Sequence, residues 1–76
     1  MSLAEELDPQ IIRGLEKLGK GGPGWVSMDL IGNFPSLGYY PQRLITRRLH
    51  ALADKGMIDR SLGLVEGKEQ YVFEPL

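Results

Sequence analysis

The segment from Pro41 to Ile58, PQRLITRRLHALADKGMI, constrains the fold of this chain more than any other. Its aliphatic residues recur at helical spacing on one side of a helix: Leu44, Ile45, Leu49 and Leu52. The opposite side is polar and carries Arg43, Thr46, Arg47, His50 and Asp54. Pro41 suits the start of a helix and Gly56 suits its C-terminal end. The pattern predicts an amphipathic helix over residues 41–55, with the stem of Arg48 packed toward the apolar side and its head reaching solvent or a carboxylate.

A first helix is predicted over residues 9–19. Asp8 can cap its free N–H groups, and Pro9 fits the first helical position, where no N–H is needed. Apolar residues then follow at helical spacing: Ile11, Ile12, Leu15 and Leu18. An earlier start stays open, because Ser2 and Glu5 have the spacing of a capping box and the helix would then kink at Pro9.

A second helix is predicted over residues 28–34, capped by Ser27 and ended by Pro35. The segment before it, Gly19 to Gly24, is glycine-rich and lacks the spacing of a phosphate-binding loop, so it is predicted to be a flexible connection. Trp25 to Ser27 is short and extended in character. It is a candidate for a short strand.

An antiparallel hairpin is predicted over residues 57–74. Residues 57–62 and 70–73 have strand character, and residues 63–69 between them, GLVEGKE, predict a loose tip with two glycines. The chain is therefore predicted to be one α+β domain over residues 1–76. Its order is helix, short strand, helix, helix, strand, strand.

Composition narrows the functional classes. The chain has no cysteine and one histidine, so neither a disulfide framework nor a zinc site is expected. No spacing suggests a nucleophile with its base, so an enzyme is not expected, and no cofactor is predicted. No apolar run approaches the length of a membrane span. These features favour a cytoplasmic protein without a membrane partner.

The net charge of −1 hides an uneven distribution. Residues 36–60 carry five basic and two acidic side chains, a net charge of +3. Residues 1–35 and 61–76 each have a net charge of −2. Positive charge is thus concentrated on the third helix and the strand after it, where phosphate contacts would need it.

The order of elements resembles the winged helix-turn-helix superfamily. The resemblance spans residues 9–74 and is carried by the string RLITRRLHALADKGMIDR and by QYVF after a glycine-bearing tip. In MarR-like and PadR-like bacterial DNA-binding domains, a similar string ends in leucine, three variable residues, glycine and two apolar residues. Here these are residues 52–58. The chain lacks the long dimerisation helices of MarR-type proteins. The resemblance implies three helices with a small two- to three-stranded antiparallel β-wing.

The resemblance also implies binding to double-stranded DNA, in transcriptional regulation, with the third helix in the major groove. Arg43 and Arg47 would read guanine, Gln42 adenine, and Thr46 a thymine methyl group or a phosphate. The other expected contacts are to phosphates or the minor groove, from Tyr39, Tyr40, His50, Arg60 and Lys68. A solvated helix face and packed tyrosines are the simpler interpretations of the same residues.

A protein–protein interaction module is the alternative function, because fold does not dictate function. The acidic ends of the chain and the apolar pair Leu64-Val65 favour it. A homodimer through the first helix, or through Leu3 and Leu7, is also open. A continuous positive stripe from Arg43 to Lys68 would favour DNA. A stripe broken by acidic residues would favour a protein partner, and the residues in question are Asp54, Asp59, Glu66 and Glu69.

Overall fold

A computed structural model describes residues 2–76 as three α-helices followed by a two-stranded antiparallel sheet. The helices are α1 (Leu3–Leu18), α2 (Ser27–Asn33) and α3 (Gln42–Asp54), with a 3-10 helix at Pro35–Tyr39, and the strands are β1 (Asp59–Val65) and β2 (Lys68–Glu74). The α+β class predicted from the sequence is confirmed. Among the described residues, no helix is both long and apolar enough to cross a membrane.

The first helix begins upstream of the predicted start at Pro9. Ser2 is its N-cap, and the Ser2 hydroxyl accepts a hydrogen bond from the Glu5 N–H at 3.2 Å. Pro9 therefore lies inside α1, where its ring removes one backbone hydrogen bond. The burial of Leu7, which is fully enclosed in the core, compensates for that loss. Asp8 is consequently not a cap, and its carboxylate is available for another contact.

The core lies where the three helices meet one face of the hairpin. Its fully or nearly fully buried side chains are Leu7, Ile11, Leu15, Leu30, Leu37, Ile45, Leu49, Leu52, Ile58 and Phe73. A β-carbon at Gly14 would lie 3.0 Å from a Leu30 methyl and 3.1 Å from the Phe34 ring, so the absence of a side chain lets α1 and α2 approach closely. The burial of Leu7 also removes it from the N-terminal dimer surface considered above.

The strands of the hairpin reach further toward the tip, and the tip is tighter, than the sequence pattern predicts. Val65 pairs with Lys68, which leaves only Glu66 and Gly67 in the turn. Both turn residues have positive φ, 52° and 78°, as a two-residue turn that matches the strand twist requires. The loose tip predicted over residues 63–69 is therefore wrong.

The candidate third strand is reduced to one residue. Trp25 and Phe73 exchange two backbone hydrogen bonds of 2.8 Å, and the remainder of the Trp25–Ser27 segment does not pair with β2. The indole N–H of Trp25 donates to the Gly19 carbonyl at 2.9 Å, which ties the start of the glycine-rich connection to Trp25. This pairing attaches the hairpin to the helical part of the chain.

Candidate nucleic-acid interface

The polar face of α3 is open to solvent. Arg43 and Arg47 lie one turn apart on this face, both are exposed, and neither forms an ion pair with any of residues 2–76. A shallow depression of about 620 Å³ runs along the helix, lined by Gln42, Arg43, Thr46, Arg47 and His50. The five α3 residues predicted as contacts are thus brought together on one surface.

The start of α3 is held in place by α2. The Gln42 amide donates to the Ser27 hydroxyl at 3.3 Å, and Ser27 is buried. The aliphatic residues on the other side of α3 fix the roll of the helix, because Ile45, Leu49 and Leu52 are enclosed in the core. Arg43 and Arg47 are therefore presented by a rigid element.

Arg60 is engaged within the molecule. One Arg60 nitrogen lies 2.9 Å from an Asp54 carboxylate oxygen, another lies 3.2 Å from His50 Nδ1, and the guanidinium stands 5.5 Å from the centre of the Tyr71 ring. Because a guanidinium only donates, His50 Nδ1 is the acceptor in this contact. The sequence predicts Arg60 as a phosphate contact, but in the structure much of its charge is offset by Asp54.

His50 joins α3 to the hairpin. Its ring contacts the rings of Tyr71 and Phe73 edge-on, with centroid distances of 5.3 Å and 5.1 Å. Such contacts add to the burial of the aromatic surface. His50 is only partly accessible, so its first role is to dock β2 against α3.

A groove of about 540 Å³ separates α3 from the hairpin. It is lined on one side by Gln42, Thr46 and His50, and at its α2 end by Met28. The hairpin side contributes Leu62, Val65, Glu66, Glu69 and Tyr71. Glu66 and Glu69 are two of the acidic residues that the sequence offers as a break in a positive stripe, but nothing local indicates that the hairpin places them at this groove.

The remaining predicted contacts lie in different settings. The Tyr39 side chain is 90% exposed just before α3, whereas Tyr40 packs on the core and its hydroxyl accepts from the Gln10 amide at 3.4 Å. Lys68 is exposed at the tip, and strand alternation assigns it to the sheet face opposite Tyr71. Of these three residues, Tyr39 is the one that is both exposed and close in sequence to the start of α3.

The positive charge does not form a continuous stripe from α3 to the tip of the hairpin. Asp54 offsets Arg60, and Glu66 and Glu69 line the groove between α3 and the hairpin. The basic surface is consequently limited to Arg43 and Arg47 and their immediate neighbours on α3. Any polyanion that binds here is expected to engage the helix more strongly than the hairpin.

Comparison with protein-family models, curated protein sequences and solved structures finds no match to this chain. Within residues 2–76, no three histidine, aspartate or glutamate side chains are grouped closely enough to hold a metal ion. The exposed face of α3 and the hairpin beside it therefore form the candidate site.

Proposed function

We propose that this domain is a winged helix that binds double-stranded DNA by placing α3 in the major groove. The observation that carries the proposal is the pair Arg43 and Arg47, two exposed arginines without an ion-pair partner among residues 2–76, on a helix face that no other element covers. The hairpin after α3 is the element that the proposal treats as the wing.

The spacing of the two arginines suits the reading of neighbouring base pairs. Four residues of α-helix advance by about 6 Å, and successive base pairs are separated by about 3.4 Å along the duplex. Arg43 and Arg47 can thus reach bases about two steps apart, each with a bidentate contact to guanine. Gln42 and Thr46 share the depression with them and supply adenine and methyl contacts.

The hairpin supports a weaker interaction than the helix. Arg60 is offset by Asp54, and Glu66 and Glu69 stand at the groove. Few phosphates are therefore neutralised, and we expect modest affinity with a shallow dependence on salt. Tyr39, with its nearly fully exposed phenol, is the best-placed phosphate donor outside α3.

Titration of a random-sequence duplex over a salt series tests the proposal. The chain should bind at low salt with an affinity that falls as the salt concentration rises. The combined Arg43→Ala and Arg47→Ala variant should lose affinity through its lost guanine contacts, with little change in the salt slope, which counts phosphate contacts. Arg13→Ala is the matched control, because Arg13 is an exposed arginine of α1 outside the α3 surface. Equal losses in the control, or no binding by the parent chain at low salt, would contradict the proposal.

A protein-binding module is the second candidate, and the acidic wall of the groove favours it. Glu66 and Glu69 would repel a DNA backbone but would attract a basic segment of another protein. Exposed Met28 and Leu62 add apolar surface to the same groove. Glu66→Gln combined with Glu69→Gln separates the two functions, since the change should strengthen DNA binding and weaken binding to a basic peptide.

A further inference from the structure

We propose that β1 pairs edge to edge with β1 of a second copy of the chain, around a two-fold axis at Leu62, to form a four-stranded antiparallel sheet. One edge of β2 pairs with β1. On its other edge, Phe73 pairs with Trp25. β1 has no backbone partner on its outer edge among residues 2–76. The proposal does not depend on DNA binding.

The pairing of Trp25 shows which groups of β1 face outward. Phe73 exchanges both of its backbone hydrogen bonds with Trp25, so its N–H and C=O point away from β1. Arg60 lies directly opposite Phe73, and in an antiparallel ladder the backbone groups of such a pair point away from each other. By alternation, Arg60, Leu62 and Leu64 all direct their N–H and C=O groups to the open edge.

The outward N–H and C=O groups of these three residues can pair with the same groups of a second copy of β1. A two-fold axis at Leu62 places Leu62 opposite Leu62 of the second copy, and Arg60 opposite Leu64 of the second copy. Each opposed pair can exchange two backbone hydrogen bonds, so every outward group of the three residues gains a partner. Such an isologous interface is the commonest arrangement in homodimers, and its use of every group favours a second copy over an unrelated strand.

The side chains also suit self-pairing. Leu62 and Leu64 are 58% and 71% exposed on the same face of β1, and the pairing brings both Leu62 side chains together. β1 has charged residues only at its start, Asp59 and Arg60, and the rest of the strand, Ser61–Val65, has neither the charges nor the proline with which exposed edges are usually protected. No like charges are opposed, because Asp59 faces Val65 of the second copy.

Sedimentation equilibrium of the full chain, without DNA, tests the proposal over a wide range of concentrations. The chain should form dimers, and Leu62→Lys should weaken association by about tenfold or more, because two lysine charges would be brought together. Leu3→Lys is the matched control, since Leu3 is a leucine of similar exposure, 56%, that belongs to α1 and to neither strand. If Leu3→Lys abolished dimerisation and Leu62→Lys did not, the dimer would form through α1 and the proposal would be overturned. A parent chain that stays monomeric at every concentration would also overturn it.

Amide hydrogen exchange locates the pairing independently of any variant. Exchange at Arg60, Leu62 and Leu64 should slow as the protein concentration rises, because these N–H groups face the open edge. Ser61 and Gly63 donate toward β2 and should change far less. Equal responses in the two sets, or none in the outward set of a proven dimer, would show that the copies associate elsewhere.

Discussion

Two arginine–aspartate pairs connect α3 to its neighbours, and their surroundings differ. Arg48 binds Asp8 of α1 through two hydrogen bonds of 2.9 Å and 2.7 Å, and both side chains are less than a fifth exposed. Arg60 of β1 contacts Asp54 at 2.9 Å, where the aspartate side chain is 65% exposed. The bidentate pair is shielded from water, whereas the other is open to solvent and to added ions.

The same type of ion pair therefore serves two purposes at two positions of α3. The shielded pair contributes to stability, because removal of either member leaves the other charge partly buried and unpaired. The exposed pair contributes little to stability, since water and salt screen it. It instead decides how much positive charge the hairpin presents beside Arg43 and Arg47.

Removal of the shielded arginine should have the largest effect. Arg48→Ala should lower the free energy of unfolding by about 2–3 kcal/mol, through lost charge-assisted hydrogen bonds and an unpaired Asp8. Arg60→Ala, the matched change in the exposed pair, should cost less than about 1 kcal/mol. Urea denaturation measures both values, and similar losses would break the distinction between the two pairs.

The pH dependence of the shielded pair gives the second test. The hydrogen bond with Asp8, aided by its charge and opposed by desolvation, raises the pKa of Arg48 above its usual value. A cation with a raised pKa stabilises the fold fully below its unfolded-state pKa and loses this contribution only as the pH rises through the folded-state pKa. Arg48 should therefore keep its contribution from neutral pH to about pH 10.

Arg48→Lys supplies the comparison for that test. Lysine titrates near pH 10.4 in its ordinary state, so this variant should lose stability relative to the parent chain as the pH rises beyond about 10. Urea titrations of both proteins at a series of pH values measure the difference. A constant difference across this range would mean that the charge at position 48 does not stabilise the fold.

Neutralisation of the exposed aspartate should change stability little and binding more. Asp54→Asn should alter the free energy of unfolding by less than about 0.5 kcal/mol. If the proposed DNA binding holds, the variant should bind duplex more tightly at low salt, because Arg60 is released toward phosphates. Glu16→Gln, at an exposed acidic residue of α1, controls for net charge. An equal gain in the control would show that Asp54 has no local effect.

The smallest change is expected at Tyr71. Its ring lies beside the Arg60 guanidinium and the His50 ring, and both contacts need only the aromatic ring. Tyr71→Phe should therefore shift the free energy of unfolding by less than about 0.3 kcal/mol, while Tyr71→Ala should cost clearly more. A large loss in the phenylalanine variant would assign a role to the hydroxyl that these contacts do not explain.

The parts of the fold that the sequence predicts correctly are those set by local patterns of residues. The aliphatic stripe of α3 is periodic, and Gly56 at its end adopts a φ of 75°, as the glycine predicts. The start of α1 could not be predicted from the sequence, because two local signals compete. Asp8-Pro9 and Ser2-Glu5 both mark helix starts, and the burial of Leu7, a tertiary effect, decides between them. Glu66-Gly67 is a weaker turn signal than Asn-Gly, so the sequence does not predict the two-residue turn.

The candidate site was predictable only along α3 itself. A helical wheel places Arg43, Arg47 and Asp54 on one face, because their relative directions follow from sequence spacing alone. It does not show that Arg60 returns to Asp54, since this contact depends on how the hairpin packs on the helix. The position of Glu69 beside the groove also depends on how the hairpin packs on α3, so the sequence does not predict it.

The single-residue pairing of Trp25 with Phe73 has a consequence for the order of folding. A hairpin closed by a two-residue turn can form in about 1–10 μs, because its strands are adjacent in sequence. Trp25 and Phe73 are separated by α2 and α3, so their pairing must await closure of a long loop. Trp25 is the one tryptophan of the chain, and its fluorescence should therefore report the late docking of the hairpin onto the helices rather than the formation of the hairpin itself.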